Sequence, residues 1–551
     1  MILYNENNST LKIGILIRDI ESLKNWEYRI LDGIINHPFL KLRLFIKDGR
    51  TKKHSLSKKI KNNLTLKVFA NLLFRIQCKI EAYRYKPICT VNTKEIMDRI
   101  KDVETIYVNP TRKGFLDIFS KEDSEKIYSY DLDIILRHEF NIIHGNILNA
   151  AKYGIWSYHH ADNAINRGGP AGFWEIINNE PYCGTTLQRL TPELDGGLII
   201  DKAYFNWSST YYRNNMDLME KSVVLLFKNI NRLLKQGTIE TKKSLTYYNR
   251  LFKAPALKYV LLYMVKFYSM KLNNKICSWG RSYCWSLFIG KGNFLESTLY
   301  KIQPVAMPKG VFWADPFLYA YNDSLYVFFE NYSYKSERGK ISVGKVLDDN
   351  GSCRVVDVKD VLDFSYHLSY AQVIEEDGML YLLPETYKNK RLELYRCINF
   401  PDKWELYSTA FEGEEVVDTT YFRDENNQRW LFLNKGYSYD SELYIYQIDN
   451  LKFENIQEHK QNPIYIDCRK ARNGGAIFKD GNNYFRPNQI CTHGIYGQGL
   501  QLSKIKKLTL DEYEEDPVIS IGPNFQKGLI GIHHLHQIEN YFVYDGCYKR
   551  I

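Results

Sequence analysis

One phrase recurs five times in the second half of this chain: a polar turn followed by an aromatic strand. The copies are Asn322-Asp323-Ser324-Leu325-Tyr326-Val327-Phe328, Asp377-Gly378-Met379-Leu380-Tyr381-Leu382-Leu383, Asn426-Asn427-Gln428-Arg429-Trp430-Leu431-Phe432, Gly481-Asn482-Asn483-Tyr484-Phe485 and Glu539-Asn540-Tyr541-Phe542-Val543. Before each copy runs a strand-like stretch holding polar residues in apolar company, marked by Asp315, Tyr370, Asp418, Arg472 and His533. The markers stand 55, 48, 54 and 61 residues apart. Repeats of this length, each supplying several strands, are the sequence form of propeller blades. Residues 277–551 are therefore expected to fold as an all-β five-bladed propeller, with the strand at 283–288 closing the ring on the last blade. A blade's innermost strand faces the central channel, so Asp315, Asp418, Arg472 and His533 are the expected channel residues.

The first half has a different rhythm. Short apolar runs at 12–17, 42–46 and 133–136 alternate with helical patterns at 21–35 and 215–235, the order of βαβ units around a parallel sheet. A chain of 551 residues is too long for one ordinary core. We expect an α/β domain over residues 11–240, a helical basic connector over 241–276 and the all-β domain after it. Within the connector, Leu257, Val260, Leu261, Met264, Val265 and Phe267 stand among Lys253, Lys258, Lys266 and Lys271. A basic amphipathic helix of this kind over 245–275 could make peripheral membrane contact or pack between domains.

The chemistry of the first half gathers in one region. It reads Gly154-Ile155-Trp156-Ser157-Tyr158-His159-His160-Ala161, then Arg167-Gly168-Gly169-Pro170, then Gly184-Thr185-Thr186, then Leu194-Asp195-Gly196-Gly197. In order and spacing this resembles the formyltransferase family, continuously over about 131–202 and more weakly before it. The resemblance implies a Rossmann-type α/β fold with His159 and Asp195 at the catalytic positions. It also places Arg167 in the substrate loop, and Gly184 and Thr186 on the strand that borders the substrate. The family has Asn two residues before the His, and this chain has Ser157. On an extended strand Ser157 still shares a face with His159, but a hydroxyl reaches less far than an amide.

What the resemblance implies mechanistically is attack of a neutral amine on a formyl carbonyl, with donors stabilising the oxyanion. Asp195 would orient the imidazole and help move the amine's proton. Losing one oxyanion donor typically lowers rate by about 10²–10³. Either another group compensates, Thr186 or His160 being candidates, or the transferred group is not formyl. The expected donor is 10-formyltetrahydrofolate, with acyl-CoA as the alternative. Arg167 reads equally as a loop-fixing residue and Asp195 as a turn former.

Trp313-Ala314-Asp315-Pro316-Phe317-Leu318, followed by Phe328-Phe329-Glu330, resembles the five-bladed propellers of glycoside-processing proteins. It is also similar to the propeller at the N-terminus of plant glucosamine inositolphosphorylceramide transferases. Asp315, Glu330, Glu385 and Asp418 are candidate acids, though sugar binding or a purely architectural role would use the same cavity.

The net charge of +10 is scattered among acids, so a nucleic-acid partner is not expected. The ten Cys form no C-x-x-C pair and no metal-type spacing, so no metal is expected. Reduced thiols and the lack of an 18-residue apolar run point to a cytoplasmic protein without a transmembrane span. The leading expectation is an N-formyl- or small N-acyltransferase acting on a nucleotide-linked amino sugar in surface-polysaccharide biosynthesis, with a sugar-nucleotide substrate and a glycan as partners. The alternative is a glycosyltransferase-associated or carbohydrate-binding protein with a diverged formyltransferase-like domain.

Overall fold

The computed structural model describes residues 10–50, 66–193, 197–278, 283–349, 352–435 and 438–549. Two compact units divide the chain, Ile2–Ser269 and Met270–Ile551. The protein is thus multidomain, with an α/β unit followed by an all-β unit.

The α/β unit is built on strands β1 (Leu11–Ile17), β2 (Leu40–Asp48), β3 (Glu104–Val108), β4 (Ile134–Arg137), β5 (Ile155–His159), β6 (Cys183–Arg189) and β7 (Leu198–Phe205). They form one sheet in the order β7-β6-β5-β4-β1-β2-β3. Strands β3 to β5 of this order run parallel, while β6 and β7 are antiparallel additions at one edge. The sequence LKIGILI of β1 is almost continuously apolar because a central parallel strand is covered on both faces.

Helices of the chain include α1 (Asn25–Asn36), α2 (Leu66–Ala82), α3 (Tyr211–Gln236) and α4 (Leu257–Ser278). In α1, Trp26, Ile30, Leu31 and Ile34 make the buried stripe, and the Glu27 carboxylate accepts the Lys24 backbone N–H at 2.8 Å to close the first turn. Helix α3 ends at Gly237, whose φ of +70° is the left-handed conformation that terminates helices. The expected connector helix begins later than its sequence pattern. Pro255 lies two residues before α4, whose Val260, Tyr263 and Phe267 are buried, the last two with Phe173, Trp174 and Tyr211.

Among the described residues the all-β unit forms five antiparallel sheets. Four follow the chain: 311–362, 369–410, 416–458 and 478–521. The fifth joins strands at 529–549 to Tyr283–Lys291, paired in register with Tyr541–Lys549. The recurring phrase is the tight hairpin from the first to the second strand of a sheet. Asn322 and Asp323 at one hairpin, and Asp377 and Gly378 at the next, all have positive φ, as two-residue turns that match strand twist require.

Each neighbouring pair of sheets is sealed by its own core. Phe328, Ile341 and Leu382 lie between the first and second; Leu394 and Leu431 between the second and third; Phe432, Ile445 and Tyr513 between the third and fourth; and Leu500 and Phe542 between the fourth and fifth. Leu287, Trp313, Val327 and Val543 pack the fifth sheet on the first, which closes the circle.

Candidate functional site

The residues singled out in the sequence fall into two groups, one in each unit. In the α/β unit the sheet order reverses at β1, so the crevice beside β1 and β4, at the carboxyl ends of the strands, is where such a sheet offers a site. Ser157 and His159 lie at that end of β5. The Ser157 hydroxyl accepts from Arg137 Nε at 2.9 Å, and Arg137 Nη1 donates to the Asn141 carbonyl at 3.0 Å. Burial pushes the Arg137 guanidinium below its ordinary value. His159 Nε2 lies 2.9 Å from the Asn166 carbonyl, which can only accept, so that nitrogen carries the proton. Asp195 lies outside the described residues.

The remaining predicted residues of this unit hold the loop after β5. The buried Thr186 hydroxyl donates to the Ala161 carbonyl at 3.0 Å. Arg167 donates to the Asn163 carbonyl at 2.9 Å and to Ser244 Oγ at 2.9 Å, and its guanidinium lies over the Tyr247 ring. Gly184 sits where a Cβ would come 2.7 Å from the Asp162 backbone nitrogen. His160 is stacked on Tyr158 and enclosed beside Trp26, and burial pushes its imidazole down to about 3. Two polar groups here escaped the sequence reading. Arg137 ends the otherwise apolar strand β4, and Glu175 is buried with its carboxyl pushed up to about 7, first by burial. A cavity of about 620 Å³ in this unit opens instead by Tyr128, Gly154 and Arg189, at the other end of β5.

The all-β unit brings its predicted residues together. A cavity of about 350 Å³ is lined by Asp315 and Glu330 of the first sheet, Glu385 of the second and Asp418 of the third, and by Arg472 and His533, which stand outside the strands rather than on the innermost strands expected for them, with the rings of Trp285, Tyr332, Tyr387, Tyr439 and Tyr496. A repeated backbone device aims some of these side chains. In the first strands of the first three sheets the register slips after Ala314, Ser369 and Val417. At those bulges Asp315, Tyr370 and Asp418 take φ of +49°, +47° and +46°. Left-handed conformation at a non-glycine residue costs on the order of 1–3 kcal/mol, and bulges of this sort re-aim side chains next to sites.

The electrostatics of the cavity are divided. Arg472 Nε meets Asp418 Oδ2 at 2.6 Å, Gln489 Nε2 donates to the same oxygen at 3.1 Å, and the guanidinium lies over the Tyr496 ring. His533 stacks on Trp285 with ring centroids 3.9 Å apart, and its Nδ1 lies 2.7 Å from Asp545 Oδ1. Its Nε2 is 3.5 Å from Asp315 Oδ1. Burial opposes ionisation of Asp315, but His533, then His534 and Arg472, prevail and hold its carboxyl below the usual range. Glu330 and Glu385 go the other way. Burial, then Asp315 beside Glu330 and Asp418 beside Glu385, raises both carboxyls well above their ordinary value. His367 faces Glu330 at 3.5 Å while its Nδ1 accepts the Gly339 N–H at 3.0 Å. The cavity therefore offers a carboxyl held toward ionisation, two held toward their neutral form, the Arg472–Asp418 pair and several aromatic rings.

Asp315, His533 and Asp545 bring one ligand atom each within 4.8 Å of one another, a donor set that suits a divalent cation. Their existing hydrogen bonding explains the arrangement without one. Asp545 and His367 escaped the sequence reading. Asp545 could have been found as a lone acid in the apolar strand Tyr541–Lys549.

Both halves of the chain are similar to known proteins. Residues 299–534 match the family described as glucosamine inositolphosphorylceramide transferase 1, N-terminal. Glucosamine inositolphosphorylceramide transferase 1 of Oryza sativa subsp. indica is 37% identical over 213 residues, covering 38% of this chain. The match spans only 28% of that relative's length. Among solved structures, glycinamide ribonucleotide transformylase 1 from Symbiobacterium toebii matches 44% of this chain and 98% of its own, at 16% identity and a TM-score of 0.29. The RS223 β-xylosidase matches 44% of this chain and 96% of its own, at 10% identity and a TM-score of 0.33. At such scores neither likeness bears on function.

These relatives overturn three expectations. The curated relatives are named glucosamine inositolphosphorylceramide transferases, not N-formyl- or N-acyltransferases of a nucleotide-linked amino sugar in surface-polysaccharide biosynthesis. Formyltransferase and acyltransferase are therefore withdrawn as descriptions of the activity. The cytoplasmic placement goes with them, since ceramide is a membrane lipid.

Proposed function

We propose that this protein is a glycosyltransferase-associated, carbohydrate-binding protein, whose all-β unit is a five-bladed propeller and whose α/β unit is a diverged formyltransferase-like domain. The observation that carries this reading is the cavity of the all-β unit. At about 350 Å³ it lies at the small end of the about 300–1,000 Å³ range of ligand pockets, which suits one or two sugar rings. Sugar hydroxyls both donate and accept, and the walls answer both needs. Asp315 accepts, Glu330 and Glu385, both pushed toward their neutral form, supply donors, Arg472 donates, and the ring faces of Tyr332 and Tyr496 cover the apolar faces of a sugar.

An amino sugar fits better than a neutral one. Its ammonium would meet the Asp315 carboxylate and draw Glu330 or Glu385 toward ionisation. The relatives' printed name, which includes glucosamine, supports the same class of ligand. Calorimetric titration of the full chain with methyl glucosaminide and methyl glucoside tests this. The amine-bearing probe is expected to bind more tightly, with the preference lost in Asp315→Asn. Equal binding of both by wild type would refute the amino-sugar assignment, and no binding of either would refute the carbohydrate reading.

A further inference from the structure

Helix α2 has a buried face and, apart from it, an exposed apolar stripe. Ala70, Phe74, Gln77, Cys78 and Glu81 turn inward, with Phe74 and Cys78 packed in the cluster of Phe173, Tyr211, Tyr263 and Phe267. Leu66, Phe69, Leu72, Ile76 and Ile80 recur at three- and four-residue steps and make a second stripe, each 44–74% exposed. Helix α4 repeats the arrangement. Its Val260, Tyr263 and Phe267 are buried in or beside the same cluster, and the Tyr268 hydroxyl reaches the buried Gln77 of α2 at 3.3 Å, while Leu261 and Val265, one turn apart, are 48% and 65% exposed. Among the described residues nothing buries the second stripe of either helix, so the shared core does not account for it.

The charges beside these stripes have one sign. Lys67, Arg75 and Lys79 on α2 and Lys258 on α4 are exposed. The acid of α2, Glu81, is buried, and it accepts from the Tyr263 hydroxyl at 2.6 Å and the Tyr212 N–H at 2.8 Å. Helix α4 has no acid in its sequence. Exposed apolar stripes flanked by cations alone match the layered chemistry of an anionic bilayer surface, with acyl chains beneath phosphates. No helix among the described residues is long and apolar enough to cross a membrane, so these helices would lie on it.

We infer that the outer stripes of α2 and α4 dock the protein on an anionic lipid bilayer. The inference is independent of the sugar cavity, and its failure would leave that reading untouched. The test is co-sedimentation of the full chain with vesicles of phosphatidylcholine alone and of phosphatidylcholine with phosphatidylserine. Wild type is expected to bind the anionic vesicles more tightly. Arg75→Glu/Lys79→Glu/Lys258→Glu is expected to weaken that binding by about tenfold or more. Leu72→Ser/Ile76→Ser/Val265→Ser is expected to abolish binding to both vesicles while leaving thermal unfolding unchanged. Wild type failing to sediment with anionic vesicles would overturn the proposal. So would sedimentation that the apolar variant leaves intact, or a wild-type dimer, seen by light scattering, that binds no vesicle and that this variant converts to monomers.

Discussion

Removing the cation of the all-β cavity should unfold the all-β unit at much lower temperature, and removing its partner as well should restore most of the loss. Arg472 and Asp418 meet at 2.6 Å with side chains only 12% and 3% exposed. Arg472→Met leaves Asp418 with Gln489 Nε2 as its side-chain donor, in a cavity that also holds Asp315, Glu330 and Glu385. Breaking a buried pair from one side typically costs about 3–5 kcal/mol, because a desolvated charge is left behind. At roughly 2–4 °C per kcal/mol for a unit of this size, the melting temperature should fall by about 6–20 °C. Arg472→Met/Asp418→Asn removes the stranded charge, and replacing a buried pair outright is often close to neutral. Differential scanning calorimetry of wild type, both single variants and the double variant gives the coupling directly. A loss below about 1 kcal/mol in Arg472→Met, or a double variant no more stable than the worse single one, would refute the reasoning.

Other perturbations draw on the same geometry. The Glu175 carboxyl, raised to about 7, keeps its proton in the folded state where the unfolded chain has lost it, so stability should fall as pH rises from about 4.5 to about 7 and level off above. At about 1.4 kcal/mol per pH unit this amounts to about 3 kcal/mol, and Glu175→Gln should abolish the slope in urea unfolding of the α/β unit. Gly339→Ala would place a Cβ 2.4 Å from Glu330 Oε1, and calorimetry should show a loss of about 1–3 kcal/mol together with weakened sugar binding. Gly184→Ala presses on Asp162, which pairs with Lys202, and should likewise lower the melting temperature by an overpacking cost of about 1–3 kcal/mol.

The parts of the fold visible in sequence are those whose cause is local. Apolar runs mark β1, β2 and β4, and the polar hairpin tips such as Asn322-Asp323 mark each repeat, because turn geometry and strand twist select those residues directly. Asp315 and Asp418 stand out for a related reason, since a charged group in an apolar strand needs a shared interior to face, whereas Arg472 and His533 reach the same cavity from outside the strands. The mutual arrangement was not legible. Nothing near Asp545 in the chain tells that it accepts from His533 and from the Asp315 backbone N–H, 230 residues away.

Helix α2 shows the same limit from another side. Its apolar residues spread over more than one face, and only the tertiary structure separates those packed near Phe173 from those left exposed. Ser157 was visible as a departure from a family pattern, but its partner Arg137, 20 residues earlier on the neighbouring strand, was set by sheet register.

The central claim is that the cavity of the all-β unit holds a sugar. A crystal structure of the full chain grown with methyl glucosaminide tests it most directly. The account predicts density for the sugar between Asp315 and Arg472, with its amine against the Asp315 carboxylate and a ring face on Tyr332 or Tyr496. Clear density for the sugar beside Ser157 and His159, with the cavity containing solvent alone, would contradict it.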